Sequence, residues 1–210
     1  MTTTNSVLNM EIMQSIIARY PRKRSAIMPL LHYVQSVSGF VTNEGIELIA
    51  TLLEIETAEV SAVSTFYTQY KRSATGEYHI GVCTNTLCAI MGGDVILASL
   101  KEHLGIENDG VTADGKVSLE HIECNAACDY APVVMANWEF YDNQTVESAK
   151  ALVDGARAGN PPAPTRGPNR LVTFKEASAV LAGLDDGLAE EGIQAGIPTL
   201  LGLKLAKEGK

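Results

Sequence analysis

The 210-residue chain has no apolar run long enough to span a bilayer. Stretches such as Ala131–Ala136 and Val95–Ala98 fall far short of the roughly 18–20 residues required. It also has no excess of basic charge. Sixteen Lys and Arg stand against twenty-five Asp and Glu, a net charge of −9, which argues against a nucleic-acid protein, because phosphate binding needs a basic surface. No G-x-G-x-x-G occurs, so the chain shows no dinucleotide site of its own. No C-x-x-C occurs either, and that is the usual mark of a thiol–disulfide enzyme. The first twenty residues lack a basic start, and Glu11 falls where a signal peptide would be uninterruptedly apolar. The chain therefore reads as cytosolic, where thiols stay reduced. Apolar residues are plentiful: 46% are hydrophobic and 20% charged, too apolar for a disordered chain. The length allows one large domain or two small ones.

Residues 6–67 read as an all-helical module. Val7, Leu8, Ile12, Ile16, Ile17 and Tyr20 share one apolar face, and Pro21 ends it. Ile27, Leu30, Leu31 and Val34 form a second face that Gly39 stops, and Pro29 must lie in that helix's first turn or kink it. Thr42 and Thr57 read as N-caps of two further helices, carrying Ile46, Ile49, Leu52 and Leu53, then Val60, Val63 and Phe66. The stripe Val60, Val63, Phe66 reads as core. Lys71–Glu77 is a polar connection. Beyond it the order changes to strand (Tyr78–Val82), helix (Gly92–Leu104), strand (Val117–Ile122), strand (Pro132–Ala136), an edge strand around Phe140, and a helix capped by Thr145. That order fits a small α/β or α+β layer domain. Residues 159–168 hold four prolines in ten positions and read as a semi-rigid linker. One weak helical pattern follows from Phe174, and the last residues are Gly-rich and end in Lys204, Lys207 and Lys210. The expected domains are 1–73, 74–158 and an extension over 159–210.

All four cysteines fall in two pairs, Cys83-x4-Cys88 and Cys124-x3-Cys128, each where an expected strand runs out into a loop. Three chemistries suit four thiols in a reduced compartment. A [2Fe–2S] cluster takes four thiolates, two per iron, and two separated pairs serve it directly. Structural zinc favours short C-x2-C knuckles, which these spacings are not. Thiol redox chemistry, or incidental buried cysteines, completes the set. The residues alone lean to the cluster and leave the others open. His121, three residues before Cys124, reads as a strand residue. His32, His79 and His103 show no ligand spacing. Trp138 and Tyr130 lie near the second pair, where they either pack or shield the site.

Several segments together resemble the thioredoxin-like [2Fe–2S] subunit family of bacterial NADH:quinone oxidoreductase, respiratory complex I. They are Leu30-Leu31-His32-Tyr33-Val34-Gln35, Gly39-Phe40-Val41, Thr65-Phe66-Tyr67, Val82-Cys83 to Cys88 with Gly93, Leu104-Gly105-Ile106, and Glu123-Cys124 to Cys128 followed by Ala131-Pro132-Val133. The resemblance covers about residues 10–157. It implies an α+β architecture: an N-terminal helical bundle, a thioredoxin-like [2Fe–2S] ferredoxin domain and, here, a proline-rich C-terminal extension. It implies one [2Fe–2S] cluster held by Cys83, Cys88, Cys124 and Cys128, acting as a one-electron carrier. The expected partners are a flavoprotein subunit that carries FMN and the NADH site, and further peripheral-arm subunits. No nucleic acid and no direct membrane insertion are expected. The expected location is cytoplasmic, peripheral to the inner face of the membrane through the complex. An equivalent diaphorase subunit of an NAD-linked hydrogenase or formate dehydrogenase is the alternative. The sequence departs from the family at the second loop, where Asn125-Ala126-Ala127 replaces the more usual Leu-Gly-Ala. Ala126 has lost a glycine's easy access to positive φ, so an altered loop or cluster potential is expected.

Overall fold

The computed structural model describes residues 8–193 and 195–209; Val7 and Lys210 lie outside these. The chain forms two compact units. One runs to Thr75 and takes in Thr173–Asp186; the other comprises Gly76–Val172 and the residues from Gly187 onward. This differs from a separate extension over 159–210, whose residues are shared out between the two units. Among the described residues no helix is long and apolar enough to cross a membrane.

The first unit is helical. Helix α1 (Met10–Ile17) is capped by Asn9, whose side chain accepts the Glu11 and Ile12 amides. A 3₁₀ turn (Lys23–Ala26) leads into α2 (Ile27–Ser38), with Pro29 in the first turn, where its missing N–H costs nothing, and Gly39 in the left-handed region at its end. Thr42 caps α3 (Asn43–Leu53) as expected. Helix α4 (Thr57–Phe66) starts one residue earlier than expected, with Glu56 rather than Thr57 at the cap position. Met13, Ile16, Leu30, Leu31, Val34, Ile49 and Val60 make the core. Phe66 is a correction: it is 77% exposed, because α4 ends there and its last turn overhangs that core.

The second unit is built on a five-stranded sheet in the order β2-β3-β1-β4-β5. The chain runs β1 (Tyr78–Cys83), α5 (Thr86–Ile90), α6 (Gly93–Leu104), β2 (Gly110–Val111), β3 (Val117–Ile122), a 3₁₀ turn (Cys128–Tyr130), β4 (Val134–Ala136), β5 (Glu139–Tyr141) and α7 (Val146–Arg157). Only β1 and β3 are parallel, and the other pairings are antiparallel. Tyr78, Ile80 and Val82 alternate onto one core with Ile96, Leu100, Leu152 and Val153. Asn137 and Trp138, both at positive φ, close the β4–β5 hairpin, the geometry of a type I′ turn. The architecture is α+β, as expected. Thr145 and Ser148 form a capping box on α7.

After the helix α7 the chain does not run free. The proline-rich stretch follows the outer edge of β5: Thr165 N–H donates to the Phe140 carbonyl at 2.9 Å, and the Tyr141 hydroxyl donates to the Pro162 carbonyl at 2.7 Å. The next segment forms α8 (Phe174–Leu181), which opens with a Thr173–Glu176 capping box and packs on α2 in the first unit. Buried Gln35 organises this junction. Its side chain donates to the Gln69 carbonyl and to Ser178 Oγ, and it accepts the Lys71 amide at 2.8 Å. The chain ends in a further helix, α9 (Ile197–Lys207), with Pro198 in its first turn.

Candidate metal centre

Parallel pairing of β1 with β3 decides where the cysteines go. The register sets Cys83 level with Ile122, so both strands release their loops at the same end of the sheet. That end is where parallel strands commonly deliver ligand-binding loops. Cys83 is the last residue of β1, and Cys88 follows one turn later on α5. Cys124 lies two residues beyond β3, and Cys128 opens the 3₁₀ turn. Cys83, Cys88, Cys124 and Cys128 together line one small, tightly closed-in pocket, completed by Asn125, Ala127 and Val133. Asn85 Nδ2 donates to the Ile122 carbonyl at 3.3 Å and ties the two loops together.

The close approach of α6 to the first loop depends on Gly93. A Cβ there would lie 2.4 Å from the Cys83 carbonyl oxygen and 2.9 Å from that of Cys88. Any side chain would push the helix off the loop that carries both thiols.

The pairs differ in environment. Cys83 and Cys88 are buried, and Cys124 and Cys128 are exposed. The Cys124 and Cys128 sulfurs are 3.7 Å apart. Two thiolates on one tetrahedral metal, at metal–sulfur distances of about 2.3 Å, stand about 3.8 Å apart, so this pair already has the spacing for a shared metal. Burial pushes the Cys88 thiol up to about 11; the Val133 backbone N–H opposes that shift, and Cys83 and Cys128 add to it. The Cys128 thiol is raised first by its hydrogen bond with Cys124 and then by that neighbour's charge. The Cys88 and Cys128 thiols thus resist becoming thiolates, and a metal that binds them must displace their protons.

Ala126 sits at φ +56°. The loop keeps the left-handed conformation that glycine would favour, and an alanine bears its cost. In that conformation the Ala126 N–H donates to Cys124 Sγ at 3.4 Å. Ala126 therefore supplies a donor to sulfur from within the second loop. The Val133 amide, which acts on Cys88, lies outside those loops, and no residue pattern marks a backbone donor.

Tyr130 packs with Ala127, Ala131 and Val133 against the buried cysteines. Trp138 instead stacks near His79, with ring centroids 5.6 Å apart, on the hairpin turn. His79 is held by Ser118 and Glu120, His103 by Asp154, and His32 lies against Tyr70. His121 is an exposed residue of β3 whose backbone amide bonds to Asn108. None of these histidines lines the thiol pocket. Arg166, which no motif marked, lies over the Phe140 ring at 4.0 Å and the Tyr130 ring at 4.8 Å, and it makes two hydrogen bonds to Asp142.

A four-thiol pocket at the open end of a mixed sheet, preceded by a helical unit, defines a class. Residues 13–157 match the thioredoxin-like [2Fe–2S] ferredoxin family, and the chain belongs to that family. An NADH-quinone oxidoreductase subunit of Mycobacterium tuberculosis is 57% identical over 196 residues, spanning 93% of this chain and 77% of that protein. A subunit of the same name from Rickettsia bellii is 41% identical over 152 residues, covering 71% of this chain and 91% of its own. In fold, the chain is similar to a solved NAD⁺-reducing [NiFe]-hydrogenase in the H₂-reduced state. That match has a TM-score of 0.56 at 18% identity, over 64% of this chain and 23% of the hydrogenase chain.

Proposed function

We propose that this chain is the small iron–sulfur subunit of an NADH:quinone oxidoreductase, with Cys83, Cys88, Cys124 and Cys128 as the four ligands of its [2Fe–2S] cluster. The observation that carries the ligand set is the convergence of all four thiols on one pocket, with one pair at metal-sharing distance. The chain's membership of a [2Fe–2S] family supplies the cofactor. Such a cluster, when bound, takes up and returns one electron at a time. The chain's own residues provide the rest. The buried pair anchors the site to β1 and α5, while the exposed pair faces outward, where a partner can exchange electrons. Amides of Ala126 and Val133 directed at the sulfurs favour the more negative, reduced state, and burial of Cys83 and Cys88 opposes it.

The electron partner in this reading is an FMN-carrying flavoprotein that oxidises NADH, within a peripheral arm of several subunits. The level of identity to the quinone oxidoreductase subunits favours that assembly over a hydrogenase, to which the likeness is one of fold. In that assembly the chain is peripheral to the cytoplasmic face of the membrane.

The test is iron and acid-labile sulfide on anaerobically purified protein, with an EPR spectrum after dithionite reduction. The expected result is about two irons and two sulfides per chain with an S = 1/2 signal. Zinc without sulfide overturns the redox reading. Each Cys→Ser variant is expected to lose or alter that signal; an unchanged spectrum in Cys124→Ser removes that residue from the ligand set. Co-purification with an NADH-oxidising flavoprotein checks the assembly.

A further inference from the structure

Helix α9 has no buried residue, so it contributes no core to its unit. What distinguishes its position is what its first turn touches. Gly196, the residue before the helix, lies directly against Tyr130: a Cβ there would come 2.4 Å from the hydroxyl oxygen and 3.1 and 3.2 Å from two ring carbons. Gly196 has an ordinary extended backbone, φ −87° and ψ 179°, so a side chain there would meet the Tyr130 ring and hydroxyl and no backbone restriction. Thr199 Oγ1 is 3.3 Å from the Tyr130 hydroxyl and 3.4 Å from Asp129 Oδ2. Just upstream, the Gly167 amide donates to the Ile193 carbonyl at 2.9 Å, next to Arg166, whose guanidinium also lies over the Tyr130 ring. Asp129 and Tyr130 share one 3₁₀ turn with Cys128, closed by the Tyr130 amide donating to the Ala127 carbonyl at 3.0 Å.

We infer that the C-terminal segment from Gly187 onward is a clasp on the second cysteine loop, with Gly196, Thr199 and Arg166 as positioning residues that hold Tyr130 and, through it, the turn carrying Cys128. The inference rests on the proposed ligand set. Its physical basis is that the exposed pair lacks the anchoring the buried pair enjoys. Cys83 ends a fully paired strand and Cys88 sits on a helix, whereas Cys124 and Cys128 lie on an exposed loop strained at Ala126. A loop with few buried apolar contacts opens at low free energy, and an open loop surrenders metal. Pinning Tyr130 from outside raises that opening free energy without placing any residue among the ligands.

The test compares the full chain with two variants, Gly196→Ala and a chain stopped after Asp186. The first readout is the rate at which excess chelator strips iron from the oxidised holoprotein, followed by loss of the visible cluster absorbance. The shortened chain is expected to lose iron about tenfold faster, the factor that about 1.4 kcal/mol of lost contact gives, and Gly196→Ala by a smaller factor in the same direction. The second readout needs no metal: amide hydrogen exchange over residues 124–131 in the metal-free protein is expected to quicken in both variants, while exchange over α2 and α3 stays as in the full chain. Equal chelation rates and equal exchange in all three proteins overturn the clasp. If the full chain binds no iron or sulfide, the ligand assignment fails instead, and the exchange measurement alone decides the clasp.

Discussion

Ala126 offers the sharpest perturbation of the site, because two substitutions there should move the loop in opposite directions. The residue holds φ +56°, a left-handed conformation that costs an L-residue with a Cβ about 1–2 kcal/mol. Ala126→Gly removes that cost and forfeits about 0.5–1 kcal/mol through glycine's greater freedom in the unfolded chain, leaving a net gain of up to about 1.5 kcal/mol. Ala126→Val adds a β-branched side chain at positive φ, a genuine outlier, and is expected to destabilise the loop by at least about 1 kcal/mol. In a chain of this size about 1 kcal/mol corresponds to a shift of about 2–4 °C in the melting midpoint. The assay is the thermal midpoint of the second unit in the metal-free protein, read by near-ultraviolet circular dichroism, with the order Gly above Ala above Val. The same conformation aims the Ala126 amide at Cys124 Sγ, so Val is also expected to lower the reduction potential of the holoprotein by turning that donor away. A valine variant as stable as the wild type, with an unchanged potential, refutes the reasoning.

Three further outcomes follow from other parts of the chain. Gln35→Leu strands the Lys71 amide and the Gln69 carbonyl that buried Gln35 satisfies; urea unfolding should show a loss of about 2–4 kcal/mol in the first unit, and a loss under about 1 kcal/mol contradicts the junction described. His32 is buried and its imidazole is lowered to about 4, chiefly by burial. The unfolded chain takes up that proton near pH 6.5, so stability is complete above that pH and falls as pH drops from about 6.5 to about 4, by up to about 3 kcal/mol. His32→Phe should flatten that slope in urea midpoints at pH 7 and pH 4.5, and an unchanged slope places the dependence elsewhere. Chelation of the holoprotein should return Cys88 and Cys128 to their raised pKa, so rebinding of iron and sulfide should slow as pH falls below neutrality; a pH-independent rate speaks against protonated Cys88 and Cys128 in the metal-free site.

Much of this protein was legible in its residues because the signals are local. Helix caps at Thr42 and Thr145, the stop at Gly39, the proline in the first turn of α2 and the strand over Tyr78–Val82 each depend on neighbours a few positions away. The paired cysteine spacing and the surrounding motifs pointed to the cluster and the family before any fold was known. Short elements escaped: α5 is five residues long and β2 only two, too few to show a period, and they exist because the sheet and the loop hold them. Phe66 looked like core because its helical spacing is right, yet α4 ends where the core does.

What the sequence by itself determined is therefore chemistry and local structure: four thiols in two pairs, an α+β order of elements, and a net charge of −9. Tertiary structure alone decided how those thiols meet. The parallel register of β1 with β3 brings both loops to one end of the sheet, and pairing partners 39 residues apart, such as Tyr78 and Val117, leave no mark on either segment. It likewise decided that α8 packs on α2 through Gln35 and that Gly196 lies against Tyr130, 66 residues earlier in the chain. Contacts across such separations come from the free energy of burying whole elements together, which no short stretch of residues encodes.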